Sequence, residues 1–398
     1  MAASTAKGVF IVAAKRTAFG TYGGKLIRHT ATDLAEHASK AAMKAAGVSP
    51  QNVDSVVMGN VIQSSRDAAY LARHVGLRSG VKQETPALTV NRLCGSGFQS
   101  IVNAAHEILL GESHVVLAGG TESMSQAPFA VRNIRFGTQL GHQIEFEDTL
   151  WAGLTDLHIN TPMAVTAENL GAKYKVSRED CDAYALKSQT RWRLASNAGY
   201  FENEIEPIPM KSKKGDTSFS VDEHPRETTA ENLAKLPSLF AKDGLVTAGT
   251  ASGVCDGAAA LVVTSEEALK KYKLSPIARL VGWSVVGCDP SIMGIGPAGA
   301  IAKLLKMTAK TLDDIDLVEV NEAFAAQYLA VERAAKLNPD KTNVNGGAIA
   351  LGHPLGASGA RIAGHLVHEL RRRNDKLAIG SACIGGGQGI AVMIESTQ

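Results

Sequence analysis

The strongest constraint on the fold is an internal repeat in which related segments stand 262 residues apart. The segment VSPQNVDSVVMGNV resembles KTLDDIDLVEVNEA, so that Asp54 corresponds to Asp316. The same spacing aligns SGFQSIVNAAHEILLGESHVVLAGG with SGARIAGHLVHELRRRNDKLAIGSA, so that Gly97 corresponds to Gly359. Single matches arise easily by chance, but one spacing that serves two separate segments does not. The repeat therefore indicates two related halves.

The first half also contains a long insertion. Further along the chain the spacing falls to 132, because DGAAALVVTS at 256–265 matches QGIAVMIEST at 388–397. The additional residues lie between about Gly120 and Thr250 and include charged helical patterns and the lysine-rich turn KSKKGD. We predict an N-terminal core half of residues 1–120 plus 251–273, an inserted loop domain of residues 121–250, and a C-terminal core half of residues 274–398.

Within each half, helical patterns alternate with short buried strands. TATDLAEHASKAAMKAAG has one apolar face, with Thr30 or Thr32 as the N-cap and Gly47 as the end of the helix. Apolar residues recur at helical spacing from Phe98 to Leu109, and HVVLAGG then reads as a buried strand. This order predicts an α/β fold of duplicated βαβαβ halves with mostly parallel sheets, packed as an α/β/α/β/α core.

Charge and cysteine content exclude several classes of protein. The net charge is +2, which gives no global field for nucleic acid, and no apolar run approaches the length of a membrane span. The five cysteines are an odd number without disulfide-framework or zinc spacing, so we predict no metal site and a reducing compartment.

Residues 1–32 contain five basic residues and no acidic residue, a composition typical of a mitochondrial address. GVFIVAAKRTAFG within this stretch already reads as the first core strand, so we expect an uncleaved signal. A cytosolic location is the alternative.

NRLCGSGFQS, at 91–100, places a single cysteine immediately before a helix. Unpaired N–H groups and the helix dipole stabilise an anion there, so we expect a lowered pKa and a nucleophilic thiolate at Cys94. Gly95 and Gly97 would let a substrate approach the backbone. A cysteine that merely fills a small apolar space is the alternative.

The repeat connects Cys94 to other reactive side chains. His353 corresponds to Asn91, and Cys383 corresponds to Thr121 directly after the equivalent strand. If the halves pack about a pseudo-twofold axis, these loops meet at the centre. His353 and Cys383 then become catalytic candidates beside Cys94.

Four spaced segments, NRLCGSGFQS, VEVNEAFAAQ, GGAIALGHPLGASGARI and SACIGGGQG, together resemble the signature segments of the thiolases. The resemblance implies that Cys94 is acylated by a 3-ketoacyl-CoA and that Cys383 exchanges the proton of the acetyl-CoA enolate. It implies that His353 activates Cys94 and CoA, that Asn321 fixes a water of one oxyanion hole, and that the backbone N–H groups of Cys94 and Gly385 form another.

The same resemblance points to coenzyme A contacts at Arg226 and Ser252, with Thr228 or Thr229 a weaker match. An arginine suits the CoA phosphates, and the small residues of AGTASG would let the pantetheine chain pass close to the backbone.

The implied reaction is thiolytic cleavage of a 3-ketoacyl-CoA to acetyl-CoA and a shortened acyl-CoA, as in fatty acid β-oxidation. Coenzyme A is then a co-substrate, with no tightly bound cofactor, and a homotetramer built as a dimer of dimers is expected. An acetoacetyl-CoA thiolase would use the same catalytic positions and is the first alternative. A catalytically silent acyl-CoA-binding protein is the second, against which the intact reactive residues argue.

Overall fold

The computed structural model describes residues 8–211 and 215–398. Its strands are β1 (Val9–Arg16), β2 (Gly20–Thr21), β3 (Ser55–Gly59), β4 (Ala87–Val90), β5 (Val115–Ser123), β6 (Phe129–Ala130), β7 (Glu147–Asp148), β8 (Thr155–Asp156), β9 (Thr161–Pro162), β10 (Ile208–Met210), β11 (Thr217–Phe219), β12 (Cys255–Ser265), β13 (Ala278–Gly287), β14 (Leu317–Val320), β15 (Leu377–Ile384) and β16 (Gln388–Ser396).

The helices are α1 (Ala31–Ala46), α2 (Leu71–Arg78), α3 (Ser96–Leu110), α4 (Thr149–Gly153), α5 (Met163–Tyr174), α6 (Arg178–Asn197), α7 (Ala230–Ala234), α8 (Glu266–Tyr272), α9 (Gly296–Thr308), α10 (Ala325–Ala335), α11 (Ala348–Leu351) and α12 (Ser358–Arg373). Among the helices of the described ranges, none has both the length and the apolar character that a bilayer crossing requires.

The long strands form one mixed sheet in the order β14-β15-β16-β13-β1-β12-β5-β3-β4, with β2 paired to β12. The prediction of mostly parallel pairing is wrong: β3 is parallel to β4 and β5, and β14 to β15, but the other pairs are antiparallel. The reason is that the last strand of each half runs antiparallel to its neighbour: β12 pairs with β5, and β16 pairs with β15. Helix–strand alternation cannot reveal this reversal.

Five layers confirm the α/β/α/β/α core. Helices α3 and α12 contact each other between the two halves of the sheet, α1 covers β1, β5 and β12 on one outer side, and α9 covers β13, β15 and β16 on the other. The central cluster combines side chains of both halves, such as Phe98 and Ile101 with Ile362 and Leu366. Each half therefore completes its core only against the other.

The predicted repeat is present in three dimensions. Asp54 Oδ2 accepts hydrogen bonds from the N–H groups of residues 114 and 115, each at 2.9 Å. Asp316 Oδ2 accepts the equivalent pair from residues 376 and 377, also at 2.9 Å. Gly97 and Gly359 meet where α3 crosses α12, and a Cβ on Gly97 would lie 2.5 Å from the backbone nitrogen of Ala360. Only glycine permits this approach of the two halves.

Local helix signals are also confirmed. Thr30 caps α1 in a capping box with Asp33, and Gly47 ends the helix at φ 65°. The central residues of the lysine-rich turn, 212–214, lie outside the described residues, as do residues 1–7 of the expected targeting segment.

The segment between β5 and β12 carries α4 to α7 and three two-stranded pairings. A buried ion cluster ties it to the core, because Arg16 on β1 binds Glu204 through Nε and Asp222 through Nη1, each at 2.7 Å. Helix α6 packs on α10 and α11. These contacts bring the segment over the loops that carry the reactive side chains, while the three-domain division stays a prediction.

Candidate active site

Cys94 lies in a turn immediately before α3, where Gly95 is the N-cap. The turn places Leu93 at φ 45° and is closed by Ser96, whose hydroxyl donates to the Leu93 carbonyl at 2.6 Å. The thiol is partly buried beside an apolar cluster that contains Ile62 and Leu355. The site therefore holds the sulfur in a mostly apolar environment.

The expected lowering of the Cys94 pKa is wrong. Burial raises the pKa of the thiol to about 11; the N–H groups of Gly385 and of Cys94 itself oppose the rise, and the Glu122 charge adds to it. Desolvation therefore outweighs the N–H groups that surround the sulfur. Cys94 rests as a thiol, so it needs a base to become a nucleophile.

His353, between α11 and α12, has the properties of that base. Its Nδ1 lies 2.6 Å from Ser358 Oγ, and the same hydroxyl donates to the Pro354 carbonyl at 3.0 Å. Ser358 must then accept a hydrogen bond from the Nδ1–H group, so Nε2 is the unprotonated nitrogen of the ring. Burial, and then the Arg361 charge, lower the pKa of His353 to about 3. A neutral imidazole results.

Asn321 follows β14 and contacts this imidazole. Its Nδ2 donates to His353 Nε2 at 3.3 Å, and its backbone N–H donates to the Ser381 carbonyl at 2.9 Å. Asn321 Oδ1 is buried and has no hydrogen-bond partner among the described residues. The amide can therefore accept one further hydrogen bond, as a residue that holds a water requires.

Cys383 is the penultimate residue of β15, rather than a member of the glycine loop that follows. It is fully buried against Met293 and Ala323. Burial raises its pKa well above the ordinary value, and a negative charge on the neighbouring Cys94 raises it further. Gly385 begins the turn into β16, and its N–H is directed at Cys94.

An apolar cavity of about 200 Å³ lies over these groups. Cys94 and His353 line it, and Met163, Met293 and Phe324 lie close to both the cavity and Cys383. The inserted segment contributes much of the remaining wall through Met124, Trp151, Leu154, Pro162, Ala164 and Phe240. The structure thus collects Cys94, His353, Asn321, Cys383 and Gly385 around one apolar space.

The proposed CoA residues divide between two places. Ser252 lines the cavity with Cys94, and its N–H donates to the Ala323 carbonyl at 3.0 Å. Arg226 and Thr228 instead line a separate groove of about 530 Å³ beside α6. Thr229, the other threonine, caps α7 by accepting from the N–H of residue 232 at 3.3 Å.

His224 stands two residues before Arg226 and contacts the cavity wall. Its imidazole packs on Gly253, where a Cβ would lie 2.4 Å from the ring, and Gly253 lines the cavity. Burial, and then the charge of Arg226, lower the pKa of His224 to about 4. The charge of Arg226 therefore lies close to a side chain that packs on the cavity wall at Gly253.

Several supporting residues were not identified from the sequence. Glu322, within NEAF, accepts from Tyr184 and Ser188 of α6, each at 2.7 Å, and from the N–H of Ile349 at 3.0 Å. Ser358 orients His353, and Glu122 of GGTES binds the histidine loop. All three residues stand in or beside the quoted motifs. The sequence does not show which groups a carboxylate or hydroxyl in a motif will bind, because those partners are distant in the chain.

Comparison with known proteins identifies the family. The model for the thiolase N-terminal domain matches residues 9–267, and the model for the thiolase C-terminal domain matches residues 274–396. The chain belongs to the thiolase family. This thiolase is 66% identical over 392 residues to the mitochondrial 3-ketoacyl-CoA thiolase of Bos taurus, covering 98% of this chain and 99% of the other.

Two solved structures extend the comparison. The human mitochondrial 3-ketoacyl-CoA thiolase in complex with CoA shares 65% identity at a TM-score of 0.96, over 99% of both chains. The Bacillus anthracis acetyl-CoA acetyltransferase shares 48% identity at a TM-score of 0.95, over 98% of both chains. The predicted family and fold are confirmed.

Proposed function

We propose that this thiolase cleaves 3-ketoacyl-CoA with CoA to give acetyl-CoA and an acyl-CoA shortened by two carbons, as in fatty acid β-oxidation. The observation that carries the proposal is the contact of a neutral His353 with Asn321 in a cavity lined by Cys94. The 66% identity to a protein named 3-ketoacyl-CoA thiolase supports it.

The first half-reaction forms an acyl-cysteine. His353 accepts the Cys94 proton, the thiolate attacks the 3-keto carbon, and the backbone N–H groups of Cys94 and Gly385 stabilise the resulting oxyanion. The bond between C2 and C3 then breaks, and its electron pair leaves with the acetyl-CoA enolate. Cys383 protonates that carbon, while His353 and the water held by Asn321 stabilise the enolate oxygen.

The second half-reaction transfers the acyl group. His353 first returns its proton, which restores the Cys383 thiolate to a thiol. The neutral His353 then takes the proton of the incoming CoA thiol, the CoA thiolate attacks acyl-Cys94, and Cys94 leaves as a thiolate that recovers that proton from His353. Two thiols serve the cycle because one remains acylated while the other exchanges a proton with carbon.

A substrate series tests the proposal against an acetoacetyl-CoA thiolase. We expect turnover of 3-ketoacyl-CoA substrates longer than four carbons, since the apolar cavity beside Cys94 favours an alkyl chain. Loss of each 3-ketoacyl-CoA in the presence of CoA is followed from acetoacetyl to medium and long chains. Activity confined to acetoacetyl-CoA would favour an acetoacetyl-CoA thiolase instead. The 48% identity to an acetyl-CoA acetyltransferase is the reason to test this second function.

For CoA itself, we propose contacts at Arg226, Thr228 and Ser252, with no tightly bound cofactor. Arg226→Ala is expected to raise the KM for CoA roughly five- to twenty-fold with little change in kcat, because a guanidinium binds phosphate away from the reacting atoms. Initial rates with varied CoA measure the split, and the exposed Arg66→Ala is the control. An unchanged KM would remove Arg226 from the CoA site.

We also propose a homotetramer in the mitochondrial matrix with an uncleaved N-terminal signal. The name of the Bos taurus relative supports the compartment, and β1 supports retention of the segment because Val9–Arg16 is a core strand. Light scattering that gives the mass of one subunit would contradict the homotetramer. A C-terminally tagged chain that stays in the cytosol would contradict the mitochondrial location.

A further inference from the structure

Glu122 is a buried carboxylate next to the site that the proposed chemistry does not use. It lies on β5 and is fully enclosed. Its Oε1 accepts from Asn60 Nδ2 at 3.0 Å and from the Ile62 N–H at 2.9 Å. Its Oε2 accepts from the Val61 N–H at 3.2 Å and from the Gly356 N–H at 2.8 Å. All four partners are donors, so only the ionised carboxylate satisfies them together.

These bonds link the two loops that carry the nucleophile and the base. Gly356 stands three residues after His353. On the other side, the loop of residues 60–62 is bonded to the chain just before Cys94: the N–H of Asn60 donates to the Val90 carbonyl at 3.1 Å, and Asn91 donates to the Val61 carbonyl at 3.2 Å. One carboxylate therefore stands between both loops.

The junction has little space for readjustment. A Cβ on Gly356 would lie 2.5 Å from the Thr121 carbonyl oxygen and 2.8 Å from that of Gly59. The backbone of the His353 loop is thus in direct contact with the ends of β3 and β5 beside Glu122, and it has little room to shift there. A charge-assisted hydrogen bond is the strongest kind available to hold it.

We propose that Glu122 is a positioning residue, whose carboxylate holds the His353 loop against the loop of Cys94 so that proton transfer between the two can occur. This inference rests on the proposed function. Its negative charge has a second effect. Burial raises the pKa of Glu122 to about 7, opposed by the N–H groups of residues 62, 356 and 61, with Asp256 adding to the rise. Above pH 7 the ionised form disfavours a second negative charge at Cys94.

Glu122→Gln separates positioning from general damage. Whichever way the amide points, its NH₂ group faces two N–H donors, so one loop loses its acceptor. At pH 8 we expect kcat and the rate of Cys94 acetylation by acetyl-CoA to fall roughly ten- to a hundred-fold, with the KM for CoA changed less than about two-fold. Alkylation of Cys94 by iodoacetamide, which needs only the thiolate, should not fall and should rise about three-fold or more as the charge is removed.

Glu122→Asp keeps the charge but is one methylene shorter. It should slow acetylation without accelerating alkylation. The exposed Glu112→Gln is the matched control and should change neither rate. Asn60→Ala removes one donor and leaves the charged carboxylate, so it should slow acetylation to a smaller extent without accelerating or slowing alkylation. It serves as the test if Glu122→Gln does not fold.

Acetylation within about two-fold of the native rate in Glu122→Gln, or alkylation that falls in parallel with acetylation, would overturn the positioning role. Both rates are read as mass on the Cys94 peptide of the full-length enzyme. They are therefore independent of the 3-ketoacyl-CoA series, whose failure would count against the proposed function alone.

Discussion

Cys94→Ser is expected to abolish thiolysis, with turnover falling by roughly 10⁴-fold or more. Incubated with a 3-ketoacyl-CoA and no free CoA, the native enzyme should gain one acyl mass on the peptide that contains Cys94, and the variant should gain almost none. The physical reason is that the buried Cys94 thiol already has a pKa of about 11, and a serine hydroxyl is far harder to deprotonate.

Cys383→Ser should fail at a different step. Cys94 can still be acylated by a reactive acyl donor, but exchange of the α-proton of acetyl-CoA with solvent should become much slower, because a hydroxyl is a poor proton acceptor near neutral pH. Deuterium incorporation into acetyl-CoA, followed by mass spectrometry, measures this exchange.

Cys288→Ser is the control for the thiol pair, because Cys288 is partly buried and lies near Cys383 without lining the cavity. It should retain most of the activity. Acyl mass on the Cys383 peptide, or α-proton exchange unchanged in Cys383→Ser, would refute the division of roles while leaving the family assignment intact.

His353→Ala is expected to lower kcat by roughly 10²- to 10⁴-fold, since both half-reactions need a base at a thiol. The effect should appear equally in Cys94 acetylation and in transfer of the acyl group to CoA. The exposed His106→Ala is the matched control and should be close to native.

The pH profile provides an independent check on His353. Because its pKa is lowered to about 3, the imidazole stays neutral from pH 8 to pH 5, and its protonation begins to remove activity only as the pH falls towards 3. Any loss of native activity between pH 8 and 5 must then come from another group. An imidazole signal that titrates by NMR with a pKa of about 6.5 in the free enzyme, and that is absent from His353→Ala, would contradict the conclusion that His353 is a buried, neutral base.

Much of the architecture could be predicted because it depends on patterns that are visible along the sequence, either as a repeat of segments or as signals between neighbouring residues. The spacing of 262 residues located two halves, and the equivalent Asp54 and Asp316 make the same hydrogen bonds in each. The capping box at Thr30 and the ending at Gly47 likewise depend on neighbours in the chain. The motif residues Cys94, His353, Asn321 and Cys383 were named from the sequence and do lie around one cavity, although their individual roles stay predictions.

Only the tertiary structure decided the properties that depend on distant residues. The sheet is mixed because β12 and β16 run antiparallel to β5 and β15, an arrangement that depends on packing between distant segments. Cys94 is a thiol rather than a thiolate because apolar side chains from other segments exclude water from it, and desolvation exceeds the effect of the helix terminus. Glu122 acquires its partners from residues 60–62 and 356, far apart in the chain, so no local pattern discloses its place between nucleophile and base.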